Sequence, residues 1–133
     1  MYIPTKFIDY IKFIFISVFI VFFFNSQVLA EYEPETGLYK ACIKYQRADF
    51  SWSDGYKIRG LIVTGEDLNS FAREQGYYHY YQSGYNYFVI PWENGGYTAL
   101  ELGYSDNLPF YEENIEDHDG RTWSLQSGWD YCY

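Results

Sequence analysis

The densest group of chemically active side chains is an acidic stretch over residues 112–120, with the sequence EENIEDHDG. Clustered carboxylates beside a glycine at a bend are typical of Ca²⁺-binding loops. The stretch does not fit an EF-hand, because with Gly120 at the sixth position both the first ligand and the bidentate Glu are missing. We expect a solvated acidic loop that ends in an Asp-Gly turn. The open alternative is a looser Ca²⁺ site formed by Glu116, Asp117 and Asp119.

The two cysteines, Cys42 and Cys132, are the second candidate for chemistry. In an exported chain a lone pair of cysteines usually forms a disulfide, and one intramolecular pairing exists. Such a bridge would close a loop of about 90 residues and contribute roughly 4–5 kcal/mol in the chain-entropy model. The alternatives are two free thiols or a Cys132 bridge between chains. A reactive thiol needs an activating histidine, and neither His79 nor His118 lies in a recognisable arrangement.

The third candidate is a run of aromatic residues over positions 77–92, followed by Tyr97. Tyr and Trp provide stiff contact area with a polar tip, which suits protein interfaces, and their flat faces also stack on sugars. About half of these rings should belong to the core, because both faces of a strand cannot be exposed at no cost. The candidate binding surface consists of Tyr78, Tyr80, Tyr85, Tyr87, Trp92 and Tyr97.

Composition and motifs exclude several function classes. The chain has 18 acidic and 9 basic side chains and a net charge of −9, so it lacks the basic surface that nucleic acid requires. Two cysteines and two histidines cannot build a Cys/His zinc site without carboxylates. No nucleophile elbow, zinc-protease motif or phosphate-binding loop is present. We therefore expect no catalytic residues, no cofactor and no metal.

Residues 1–30 have the character of a signal peptide that is cleaved after Ala30. Lys6 and Lys12 precede a 12-residue apolar run, which is shorter than a membrane span, and small residues stand before the cleavage site. An uncleaved anchor is the alternative. Removing residues 1–30 leaves 103 residues with 17 acidic and 7 basic side chains, a net charge of −10. The expected location is the periplasm or the outside medium, with no membrane contact after cleavage.

The elements that would position these side chains are mostly strands. Alternating residues predict strands over 38–47 and 56–63, joined by a tight turn at Asp54-Gly55. Thr64 and Asp67 resemble a capping box for one short helix over residues 66–75, which Gly76 would end.

Three further turns follow the helix in the predicted order of elements. Ser83-Gly84 would join two aromatic strands, and Asp119-Gly120 would lead into the last strand. A two-residue turn at Asn94-Gly95 would pair Trp92 with Tyr97, with Pro91 at an edge or a bulge. Residues 106–119 are expected to be irregular. The pattern predicts one all-β or β-rich α+β domain over residues 31–133, a small antiparallel sheet or barrel.

One group of residues is similar in its layout to a known family. The group consists of Tyr80, Tyr81, Phe88, Trp92, Gly95, Ala99, Leu100 and the late Cys132. It resembles the small periplasmic lysozyme inhibitors of the membrane-bound C-type class, over about 25 residues plus the cysteines. The resemblance implies a β-barrel with an early-to-late disulfide. The inhibitory Ser and Lys of that family have no match, since Asn94 stands at the Lys position, and the chain is not assigned to the family.

The expected function is binding rather than catalysis. The first hypothesis is an exported protein-binding domain, with inhibition of a basic extracytoplasmic enzyme as one form, because an acidic surface steers association with a basic partner. The alternative is a carbohydrate-binding or surface-assembly module that uses exposed Tyr and Trp. The sequence leaves the ligand and the oligomeric state open.

Overall fold

A computed structural model describes residues 32–76 and 80–133 of the chain. The predicted signal peptide over residues 1–30 lies outside the described residues. Tyr77, Tyr78 and His79 lie outside them as well.

The described chain consists of seven strands and one helix. The elements are β1 (Tyr32–Glu33), β2 (Leu38–Tyr45), β3 (Tyr56–Thr64), α1 (Gly65–Glu74), β4 (Asn86–Pro91), β5 (Tyr97–Gly103), β6 (Tyr111–Glu116) and β7 (Thr122–Ser127). The sheet is antiparallel in the order β5-β4-β3-β2-β7-β6, and β1 pairs with β2. Its two outer strands, β5 and β6, approach each other, so the sheet forms a nearly closed barrel. This architecture confirms the predicted small β-rich fold.

Strand β3 joins the two parts of the barrel. Its first half pairs with β2 as far as Gly60, and its second half pairs with β4 from Leu61 onward. A Cβ atom at Gly60 would lie 2.6 Å from both Cζ of Phe88 and the carbonyl oxygen of Val89. A glycine is therefore needed where β3 changes partners, because the Phe88 ring occupies the space of a side chain.

The core has two layers, one on each side of β4. Phe88 and Ile90 point into the barrel, where they pack with residues of β2, β5, β6 and β7. Tyr87 and Val89 point to the opposite face, which α1 covers. The alternation of side chains along a strand thus places two adjacent aromatic rings in different layers.

Helix α1 begins where the sequence predicted a cap. The Thr64 hydroxyl accepts a hydrogen bond from the Asp67 amide at 3.2 Å. The helix starts and ends one residue earlier than predicted, and the chain leaves it through Gly76 with φ of 76°. Leu68 and Phe71 are buried against the outer core layer.

The predicted tight turn at Asp54-Gly55 is wrong, although β2 and β3 do pair. The connection covers residues 46–55, and the chain reverses near Phe50, which has φ of 67°. Ser53 points inward and its hydroxyl accepts a hydrogen bond from the Tyr45 amide at 3.0 Å. Gly55 instead provides room for the disulfide, because a Cβ atom there would lie 2.9 Å from Sγ of Cys42.

The register at the β4–β5 turn is shifted by one residue from the prediction. Pro91 pairs with Tyr97, because the turn includes both Gly95 and Gly96 with positive φ. Pro91 is not in an edge strand either, since β4 lies between β3 and β5. It is the last residue of β4 and lies beyond the stretch that pairs with β3, so no hydrogen bond from its nitrogen is required.

Part of the stretch predicted to be irregular forms strand β6. Five of its six residues are exposed, all except Ile115, and a bulge separates Glu112 from Ile115. This bulge interrupts the alternation of apolar and polar residues by which a strand is normally recognised in a sequence. The predicted turn at Asp119-Gly120 is confirmed, because the Gly120 amide donates to the Asp117 carbonyl at 3.1 Å.

The disulfide between Cys42 and Cys132 is confirmed and connects residues 90 positions apart. The C-terminal segment is also fixed by Trp129, whose indole donates to the Ile58 carbonyl at 3.1 Å. Lys40 and Arg59 both lie over the Trp129 ring, at 4.8 and 4.5 Å from its centroid. The end of the chain is thus held against the outer face of β2 and β3.

Candidate binding cleft

The seam of the barrel contains the candidate site. Within the described residues β5 pairs with β4 only and β6 with β7 only, so the facing edges of β5 and β6 are unpaired. A cleft of about 570 Å³ opens beside this seam. Its lining residues are Tyr80, Tyr81, Tyr87, Ala99, Glu101, Glu112, Asn114, Ile115, Glu116, Asp117 and His118. We call it the seam cleft.

The floor of the seam cleft is a hydrogen-bonded group of tyrosines. The Asn69 side chain of α1 holds the Tyr81 backbone twice, donating to its carbonyl at 2.6 Å and accepting from its amide at 2.7 Å. The hydroxyls of Tyr81 and Tyr97 are 3.2 Å apart, and the Tyr87 hydroxyl accepts from the Gln82 amide at 2.8 Å. Burial, followed by the bond to Tyr97, raises the pKa of Tyr81 well above its usual value. These contacts give the cleft a rigid floor of neutral phenols.

Carboxylates form both walls of the seam cleft. Glu101 extends from β5, while Glu112 and Glu116 extend from β6, and all three are exposed. None of the described residues that line the cleft is a lysine or an arginine. The cleft is therefore electronegative and open to water, so that incoming cations would meet carboxylates on two sides.

Asp117 at the end of the cleft has a structural role. One of its oxygens accepts from the amides of Asp119 and Arg121, both at 2.9 Å. The other accepts from the indole of Trp123 at 2.8 Å. The Ca²⁺ alternative gains no support, since both oxygens have partners and residues 32–76 and 80–133 hold no His/Cys/Asp/Glu group suited to a metal.

The structure separates the aromatic residues that the sequence grouped into one surface. Tyr80 is 80% exposed and lies on the rim of the seam cleft. Tyr87 and Tyr97 are only 7% and 8% exposed and belong to the core; Tyr87 lines the floor of the seam cleft, whereas Tyr97 does not line it. Their side of the sheet is covered by α1, a contact between distant parts of the chain that the local pattern does not reveal. Tyr78 lies outside the described residues.

The two other aromatic candidates are half-buried and lie apart from each other. Tyr85 packs edge-to-face against Tyr104 with ring centroids 4.8 Å apart. Trp92 donates its indole N–H to the Thr98 hydroxyl at 2.8 Å and lies beside Trp123. Neither lines the seam cleft. Of the five predicted residues that the structure describes, Tyr80 alone both lines the cleft and is largely exposed to solvent.

Sequence reasoning missed the wall residues Glu101, Glu112 and Glu116 as parts of one site. The sequence predicts a loop for the acidic stretch rather than a strand that faces β5. A strand prediction for residues 111–116 would have placed these carboxylates on a sheet edge. Glu112 and Glu116 face Glu101 because the barrel closes. Closure brings the last strands of the chain beside a strand from its middle.

Comparison with known protein families, with curated proteins and with solved structures gives no match for this chain. No helix in the described part of the chain is long and apolar enough to cross a membrane.

Proposed function

We propose that this chain is an exported protein-binding domain whose seam cleft receives a basic segment of a partner protein. One observation carries the proposal: exposed carboxylates from two facing sheet edges line a concave cleft without a neutralising lysine or arginine among its described lining residues. Tyr80 adds an exposed aromatic ring at the rim, where such residues commonly anchor protein interfaces.

The chemistry favours a partner with lysine or arginine side chains over a small uncharged ligand. Exposed carboxylates contribute little to the stability of the free protein but attract a cationic surface over about 10 Å at moderate salt. Lysine or arginine side chains from a partner could enter between Glu101 and Glu116 and bond both walls. The net charge of −9 extends this attraction beyond the cleft.

The disulfide supports the choice of an extracytoplasmic partner, because such bonds persist in oxidising compartments. Basic secreted or cell-wall hydrolases are partners of the right charge. We propose inhibition by occlusion: a domain bound at a basic active-site rim would block substrate entry.

A panel of basic secreted hydrolases, with lysozyme included, tests the proposal. Binding to the immobilised chain is measured by biolayer interferometry between 50 and 500 mM salt, and hydrolase activity is measured in parallel. We expect at least one partner to bind and to lose activity, with affinity that falls as salt rises. Absence of binding across the panel at 50 mM salt would contradict the proposal.

Charge-neutralising variants locate the interface. The triple variant Glu101→Gln/Glu112→Gln/Glu116→Gln should bind about tenfold more weakly, since three exposed ion pairs at about 0.5 kcal/mol each add to about 1.5 kcal/mol.

A matched control changes the net charge equally outside the cleft. It replaces three exposed carboxylates that do not line the cleft, in the variant Glu35→Gln/Glu74→Gln/Asp130→Asn. We expect it to bind within about twofold of the original chain. An equal loss in both triple variants would assign binding to overall charge and refute a role for the cleft.

A further inference from the structure

A continuous row of four aromatic rings crosses the barrel at the end where the β4–β5 and β6–β7 turns lie. The Trp92 and Trp123 rings are 6.5 Å apart, Trp123 and Tyr45 are 6.2 Å apart, and Tyr45 and Tyr56 are 6.2 Å apart. Tyr45 and Tyr56 are 37% and 48% exposed, and their ring planes differ by 22°. The outer end of the row is thus a pair of nearly parallel, solvent-accessible phenol rings.

Two hollows lie along this row and share Arg121. The first, of about 410 Å³, is lined by Tyr45, Gln46, Gly120, Arg121, Thr122 and Trp123. It combines aromatic surface with neutral hydrogen-bonding groups and one guanidinium.

The second hollow, of about 720 Å³, opens between the first half of β3 and the end of β4. Trp92, Lys57 and Arg121 contribute to its lining, and Glu93 is the one carboxylate among its described lining residues. Its cationic lining distinguishes it from the seam cleft.

The charges of these hollows are available for a ligand. Arg121 and Lys57 are exposed, and neither forms an ion pair with another residue in the described ranges. Arg59 in the second hollow differs, because Glu33 and the Trp129 ring already hold it. Arg121, which has no ion-pair partner among the described residues, thus lines the same hollow as the partly exposed Tyr45 ring.

We propose that this face binds an oligosaccharide that carries carboxylate groups. The phenol faces of Tyr45 and Tyr56 offer stacking surfaces for sugar rings, and Gln46 and Thr122 can bond hydroxyl groups. Arg121 supplies the planar donor pair that matches a carboxylate. An acidic peptide of the same charge is disfavoured because it lacks the flat ring faces that stack on the phenol rings.

The test uses tetragalacturonate and, as its neutral counterpart, a galactose tetramer. Titrations are followed by calorimetry and by tryptophan fluorescence. We expect tetragalacturonate to bind at least about tenfold more tightly, since a charged hydrogen bond to Arg121 contributes a factor of this size. Equal affinity for the two sugars, or no binding of tetragalacturonate at 10 mM, would overturn the proposal, as would tighter binding of a tetraglutamate peptide.

Variants separate the proposed contacts from general charge effects. Arg121→Gln and Tyr45→Ala should each weaken tetragalacturonate binding by about tenfold. Arg73→Gln, which changes an exposed arginine of α1 away from both hollows, should leave it unchanged. An equal loss in Arg73→Gln would contradict a specific site. Circular dichroism of each variant verifies folding. The triple Gln variant of the seam cleft should retain sugar binding, so that a failure of one proposal can be distinguished from a failure of the other.

Discussion

Gly55 and the disulfide should be energetically coupled, because the glycine leaves the space that the two sulfurs occupy. A Cβ atom at residue 55 would lie 2.9 Å from Sγ of Cys42, 3.0 Å from Sγ of Cys132 and 3.0 Å from the amide nitrogen of Tyr133. Atoms at such distances must shift, and overpacking of this kind typically costs about 1–3 kcal/mol. We expect Gly55→Ala to lower the free energy of unfolding by this amount.

Removing the disulfide should reduce the destabilisation that Gly55→Ala causes. The variant Cys42→Ala/Cys132→Ala opens a loop that spans a sequence separation of 90 residues. The chain-entropy model gives about 4.6 kcal/mol for a loop of that length. Adding Gly55→Ala to this variant should cost less than about 1 kcal/mol, because both sulfurs are gone and only the Tyr133 backbone remains close.

A double-mutant cycle measures the coupling. Urea unfolding is followed by tryptophan fluorescence for the four proteins, all in the same concentration of a stabilising osmolyte so that the variants without the bridge stay folded. The expected interaction energy is about 1–2 kcal/mol. An identical cost of Gly55→Ala with and without the bridge would refute the steric reasoning, and a bridge contribution below about 1 kcal/mol would refute the entropic reasoning.

Three further predictions follow from individual contacts. Asp117→Ala removes three hydrogen bonds and should lower the free energy of unfolding by about 2–4 kcal/mol in urea titrations, whereas Asp119→Ala in the same turn should cost less than about 0.5 kcal/mol. Asn69→Ala releases the Tyr81 backbone and should cost about 2 kcal/mol, and unchanged amide exchange at Tyr81 would contradict this role. Burial raises the pKa of Tyr39 to about 12 and that of Tyr81 further, so the stabilising effect of these neutral phenols is complete below pH 10 and is lost as the pH rises above it. Urea midpoints should therefore fall from pH 10 to 12, and Tyr81→Phe should make this decline shallower.

The sequence predicted those parts of the fold that depend on local chemistry. The helix cap at Thr64 needs only a hydroxyl three residues before an amide, and the turn at Gly120 needs only a residue that accepts positive φ. The disulfide followed from the cysteine count and an assumed oxidising compartment. Each of these features can be inferred without knowing which strands are neighbours.

The features that the sequence did not predict depend on contacts between distant residues. Asp54-Gly55 has the sequence of a tight turn, but Gly55 is required by a cysteine 77 positions further along the chain. Tyr80 and Tyr87 are the same residue type in one aromatic run, yet Tyr80 is exposed and Tyr87 is buried. Tyrosine suits either environment, so tertiary packing alone decides which ring can meet a partner.

The location of the seam cleft likewise could not be predicted from local sequence patterns. Its walls come from β5 and β6, which meet because the barrel closes and not because they pair. The acidic stretch was visible in the sequence, but its strand character was hidden by the bulge between Glu112 and Ile115. Charge alone could suggest a basic partner, whereas the location of the contact required the topology.

The most direct test of protein binding through the seam cleft is the salt dependence of affinity for a basic hydrolase, measured with the original chain and both triple carboxylate variants. We predict that affinity of the original chain falls steeply between 50 and 500 mM salt. The Glu101→Gln/Glu112→Gln/Glu116→Gln variant should bind about tenfold more weakly at low salt and show a shallower slope. The control variant should follow the original chain. Identical affinities and slopes for all three proteins would contradict the account.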